Sequence, residues 1–120
     1  MLYTKHVQLT DDTETTLFTV PSGFHAVIQY IFIANHDDHG NDSASLHFAN
    51  SDGSNRVDIF DDVNVSSGGN LTLSNGGGPL FVLHEDEVVK VQAEATSNME
   101  FAVTFDLIEQ PATFVNFNGG

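Results

Sequence analysis

At roughly 100–200 residues per domain, a chain of 120 residues makes one domain, and a hydrophobic fraction of 40% with ten Phe and two Tyr suffices for its core. Three basic residues against 17 acidic ones leave a net charge of −14, a field that repels phosphate backbones and anionic headgroups, so neither nucleic acid nor membrane is expected as a partner. The absence of Cys removes disulfides, thiolate nucleophiles and Cys-based zinc sites, and no apolar run approaches the roughly eighteen residues that span a bilayer.

The chain opens on Met1-Leu2-Tyr3-Thr4-Lys5-His6, which has no charged region followed by an apolar one; no secretory signal is expected, and synthesis in a cytoplasm is. Apolar residues then recur with period two almost everywhere, which predicts strands. Thr15 to Val20 is short and β-branched, and is expected to form a hairpin with the strand that follows the Pro21-Ser22-Gly23-Phe24 turn. That next strand, His25 to Ala34, carries apolar residues on both faces and is predicted to be central and covered on two sides.

His36-Asp37-Asp38-His39-Gly40-Asn41-Asp42 packs two imidazoles and three carboxylates beside a strand end. It reads as a solvated acidic loop. The alternative is a divalent-cation site using His36, Asp38, His39 and Asp42, although calcium loops of the Asp-x-Asn/Asp type end in a bidentate Glu that is missing here. Leu46 and Phe48 alternate with Ser45 and His47, Val57 and Ile59 with Arg56 and Asp58, and Leu71 and Leu73 with Asn70 and Thr72, giving three half-buried strands. Loops are expected at residues 51–55, 66–69 and 75–79, the last a glycine-rich stretch without the Lys and Ser/Thr of a phosphate loop.

His47 and His84 point away from Phe48 and Leu83, which suggests surface or subunit-contact roles. Glu85-Asp86-Glu87 reads as a turn. The strands Val88 to Ala95 and Glu100 to Leu107 flank a hairpin-length connection, Thr96 to Met99, and are expected to pair. The whole is predicted to be all-β, a single-domain antiparallel sandwich, jelly-roll-like, of about eight or nine strands over residues 1–109. Residues 110–120 form a C-terminal aromatic tail in which Phe114, Val115 and Phe117 have no polar partner face; a last strand on the same sandwich is expected, with an arm on a neighbouring subunit or a frayed terminus as the alternatives.

No Gly-x-Ser-x-Gly elbow or other catalytic spacing occurs, so no enzyme activity and no cofactor are expected. The run Leu17-Phe18-Thr19-Val20-Pro21-Ser22-Gly23-Phe24-His25-Ala26-Val27-Ile28, continued by Ile31-Phe32-Ile33-Ala34-Asn35, resembles small β-sandwich virion proteins of tailed bacteriophages. Leu80 to Val91, with Leu83-His84-Glu85-Asp86-Glu87-Val88-Val89-Lys90-Val91, and the strand Phe101 to Ile108 resemble the second half of the same pattern. The resemblance implies a capsid decoration (cement) protein, often trimeric, whose partners are copies of itself and the major capsid protein or other virion proteins. Alternatives are a neck, tail or fibre accessory protein and a receptor- or carbohydrate-binding module. The implied location is the outer surface of a virion assembled in a host cytoplasm. Contacts between such acidic subunits are expected to use apolar, polar and histidine-bearing patches, with the carboxylates turned to solvent.

Overall fold

The computed structural model describes residues 2–38 and 40–110, and these residues contain no helix. His39 and the tail residues Phe114, Val115 and Phe117 lie outside them. Nine strands occur in order: β1 (Leu2–Leu9), β2 (Thr15–Thr19), β3 (Phe24–Asn35), β4 (Asp42–Asn50), β5 (Val57–Val65), β6 (Asn70–Ser74), β7 (Phe81–Leu83), β8 (Glu87–Gln92) and β9 (Met99–Glu109). One sheet, A, runs β1-β9-β3-β6 with β7 also on β3; the other, B, runs β2-β8-β4-β5. Every pairing is antiparallel.

The pairs β1·β9, β2·β8, β3 with β6 and β7, and β4·β5 are nested, as in one long hairpin rolled up until its halves face each other. This is a jelly-roll sandwich. Two expected hairpins do not form. β2 pairs with β8 and not with β3, and β8 lies in a different sheet from β9. The reason is burial. Hairpins would keep Phe18 in one sheet with Ile28, and Val89 and Val91 in one sheet with Phe101 and Val103. Separating them makes two opposed walls, and Phe18 of sheet B stacks on Phe105 of sheet A with ring centroids 4.2 Å apart. Turns that change sheets therefore bury more apolar surface than turns that stay within one.

The core is filled by Ile28, Ile31, Ile33, Leu46, Val89, Val91, Met99, Phe101 and Val103, all essentially inaccessible to water. Ile28 and Ile31 both point inward although they are three residues apart. A register shift against β9 between Ile28 and Tyr30 makes this possible: the extra residue, Gln29, is absorbed as a bulge. The bulge explains the doubly apolar look of this strand. β3 is central in its sheet, with neighbours on both sides, but among the described residues nothing covers its second face, where Tyr30 is exposed. At Pro21–Phe24 the expected tight turn forms: Phe24 N–H donates to Pro21 O at 3.1 Å, and Gly23 takes a φ of +84° that other residues adopt with strain.

Candidate functional site

Asn35, at the end of β3, ties together one end of the sandwich. Its side-chain amide donates to Val65 O at 2.9 Å and Gly40 O at 3.2 Å, and its Oδ1 accepts from the Asp37 amide at 2.9 Å. Its backbone exchanges bonds with the Gly68–Gly69 turn. A buried amide with this many bonds is structural, and it folds the acidic loop inward. Asp42 is consequently 5% exposed, its Oδ2 lacking a hydrogen-bond partner, so the reading of a solvated loop fails at this residue. Burial, a hydrogen bond that protonated Asp42 donates to the Asp37 carboxylate, and the charges of Asp37 and Glu94 push the Asp42 carboxyl up to about 6. His36 points elsewhere: its Nε2 lies 3.0 Å from Glu100 Oε1 on the exposed side of β9, and Asp38 is exposed. His36, Asp38 and Asp42 are thus not gathered into one ligand set, and among the described residues no three His, Asp or Glu side chains converge on a metal position.

His47, expected at the surface, is 5% exposed. It does face outward, away from Phe48, but sits in the cross-strand row Thr16, Lys90, His47, Asp58 on the outer side of sheet B, where long neighbours cover it. Arg56 Nε pairs with Asp58 at 2.7 Å and Lys90 Nζ with Glu14 at 3.6 Å, so two of the three basic side chains belong to this patch. Desolvation, followed by the Arg56 charge, lowers the His47 pKa from its ordinary value. Beyond this row lies a polar hollow of about 370 Å³ whose lining includes Asp12, Ser43, Ser45, Asp62, Gln92 and Glu94, without an aromatic ring. His84 is exposed, next to the Glu85–Glu87 turn, which closes through a Glu87 N–H to His84 O bond of 3.1 Å with Asp86 at a φ of +68°.

Sheet A has an outer face of another kind. Leu2, Asp106, Val27 and Val82 form one cross-strand row, Thr4, Thr104, Tyr30 and Ser74 the next, and His6, Ala102, Phe32 and Thr72 a third. Four of its apolar side chains are strongly exposed: Leu2 at 57%, Val82 at 50%, Ile108 at 41% and Tyr30 at 39%. Asp106 is the one acid in these three rows of a chain with 17. This patch is the candidate functional surface. Its signal in the sequence is the doubly apolar pattern of Val27 to Ile33, which points to cover on both sides; among the described residues that face is open instead.

The sheet edges also differ. The edge opposite β1 is interrupted between β6 and β7, where Asn75 to Gly78 forms a turn with Gly76 and Gly77 at positive φ. β5 is broken by two register shifts against β4 and carries Asp58, Asp61 and Asp62. β2 is five residues long and also shifted. These are recognised ways of blocking edge pairing. β1 alone among the four runs in unbroken register, from Leu2 opposite Asp106 to Leu9 opposite Met99.

No protein-family model and no curated protein matches the chain. Among solved structures, it is similar to a chain from Bacillus endospore appendages, described as a novel family of disulfide-linked pili, at 12% identity and a TM-score of 0.53, covering 92% of this chain and 88% of that one. It is also similar to a chain of the cyanophage Pam1 capsid asymmetric unit, at 13% identity and a TM-score of 0.47 over 92% and 84%, and to Eiger TNF from S. frugiperda, at 11% and 0.44 over 97% and 99%. The likeness to the appendage protein is one of fold; lacking Cys, this chain has no means of disulfide linkage.

Proposed function

We propose that the chain is a structural subunit of a virus particle, a capsid decoration (cement) protein that assembles with copies of itself and with shell proteins through the outer face of sheet A. The observation that carries the assembly is the near-neutral patch of Leu2, Tyr30, Val82 and Ile108 on a subunit of net charge −14. An apolar face turned to water marks an interaction surface, and here it is one that like charge does not hold apart. The virion location is supported by the phage-like run from Leu17 to Asn35, whose closing Ala34-Asn35 now has a physical role: Ala34 lies in the outer row of sheet A, and Asn35 holds the end of the sandwich together.

Sedimentation over micromolar concentrations is the test of assembly. A homo-oligomer, of which a trimer is the form the resemblance implies, is expected, together with binding to undecorated shells. A monomer that also fails to bind shells overturns the proposal. Immunogold labelling of intact particles is expected to decorate the shell; label confined to neck, tail or fibre would assign the accessory role instead. A carbohydrate-binding role receives no support from the polar hollow on sheet B, which lacks the ring on which a sugar stacks.

A further inference from the structure

The sandwich is open along the side where β1 and β2, edge strands of opposite sheets, lie beside each other, and among the described residues nothing pairs with the free edge of β1. The lining of a hollow there, of about 310 Å³, includes Tyr3, Lys5, Phe18, Pro21, Phe105 and Leu107, and no acid. Phe105 is stacked between two rings, Phe18 at 4.2 Å and Tyr3 at 5.8 Å. Tyr3 and Lys5 are alternate residues of β1, opposite Phe105 and Val103, so both stand on the hollow's side of the strand, and both are exposed.

Lys5 is the unusual member of this group. Arg56 is engaged by Asp58 and Lys90 by Glu14, whereas among the described residues Lys5 meets no carboxylate, in a chain with 17 acids. A lysine on the inner side of an edge strand deters any added strand that has nothing to offer its charge. A second copy of the chain is poorly equipped to offer it: β1, β2, β6 and β7 carry no acid, and the acidic edge, β5, is broken by two register shifts. What fits is a strand from elsewhere in which a carboxylate alternates with apolar residues. Its main chain would bond to the unpaired N–H and C=O groups of β1, and its alternate side chains would fall on Lys5 and on the hollow.

We propose that β1 takes up an extended segment of another protein as a further strand of sheet A, with a carboxylate of that segment on Lys5 and an apolar side chain two residues away in the hollow beside Tyr3. This site is the edge and inner side of β1, separate from the outer face of sheet A, and it does not rest on the virion role.

The probe is the capped peptide acetyl-Thr-Phe-Thr-Glu-Thr-Phe-Thr-amide, whose alternation reads the same in both directions. At about 1 mM peptide, hydrogen exchange at alternate amides of residues 2–6, followed by NMR, is expected to slow at least about tenfold, with the amides of β4 and β5 unchanged. Lys5→Glu protein should bind the peptide at least about tenfold more weakly, and a peptide with Lys in place of Glu should recover that loss on the Lys5→Glu protein. Recovery by the swapped charges separates recognition from a defect of folding. Unprotected β1 amides, equal binding by the two proteins, or shifts confined to Tyr30 and Val82 on the outer face would each overturn the proposal. So would protection of the edge without peptide: if it grows with protein concentration, a second copy supplies the strand, and if it does not, the edge is covered within its own chain.

Discussion

The two outer faces of this sandwich are built on the same pleat and come from the same acidic chain, yet they treat their side chains in opposite ways. Sheet B folds its polar groups back on one another: Arg56 on Asp58, Lys90 on Glu14, His47 covered between them. Sheet A leaves Leu2, Tyr30, Val82 and Ile108 in water beside neutral threonines. The first face has satisfied itself and the second has not. Where every large-scale field is repulsive, a patch nearly free of charge is where association costs least. Net charge therefore says little about where such a protein associates; the local gaps in that charge say much more.

The contrast can be broken most directly by placing charge on the neutral face. Tyr30→Glu/Val82→Glu should weaken self-association at least 100-fold by sedimentation, equivalent to about 2.7 kcal/mol, while the monomer's circular dichroism stays the same. If the oligomer survives, sheet A is not the interface. A gentler probe is salt. Lowering the ionic strength lengthens the range of repulsion among the carboxylates, so assembly should weaken, and added salt should restore it.

pH acts on sheet B instead, because β4 carries two buried titrating groups. The Asp42 carboxyl has a folded pKa raised to about 6, so the protonated form is favoured by folding. The stability it contributes is complete below the ordinary carboxylate range and is lost as pH rises through about 6. Asp42→Asn is accordingly expected to stabilise the fold by about 2 kcal/mol at pH 8, with no gain at pH 4, in paired urea melts. His47 has the reverse sign. Its lowered pKa favours the neutral ring, so its contribution is complete above the ordinary imidazole range and is lost as pH falls below that range through the lowered folded pKa. His47→Gln should flatten the acid limb of the stability profile; an unchanged limb would show that His47 does not titrate against folding. The smallest effect is expected from the surface pairs: Arg56→Ala and Lys90→Ala should each cost no more than about 0.5 kcal/mol and leave the oligomer as it was.

Much of this architecture could be read from period-two alternation. Phe101 with Val103 and Phe105 pointed to a strand with one buried face, and that strand forms; Leu46 and Phe48 are buried as expected, but His47 between them is buried as well. Partner choice could not be read in the same way, because alternation fixes a face but not the sheet that face will oppose. Both failed hairpins, at Pro21 and at Thr96, result from that. The bulge at Gln29 hid the exposed side of β3 by letting Ile28 and Ile31 share a face. The acidic composition of residues 36–42 concealed the burial of Asp42, which depends on the distant contacts of Asn35 with Val65 and the Gly68–Gly69 turn. The exposed patch itself was legible as an excess of apolar residues; what sequence could not supply was whether anything in the same chain covers it.

The Asn75–Gly78 turn has a practical use. It projects from an edge without contributing a core side chain, and Leu80 rejoins β3 immediately afterwards through a 2.8 Å bond to Ile28 O. A foreign peptide spliced between Gly77 and Gly78 should therefore hang from the rim as a display loop, leaving thermal melting within a few degrees of the parent. If particles carry this subunit in many copies, that loop offers a ready place for an epitope or an affinity handle.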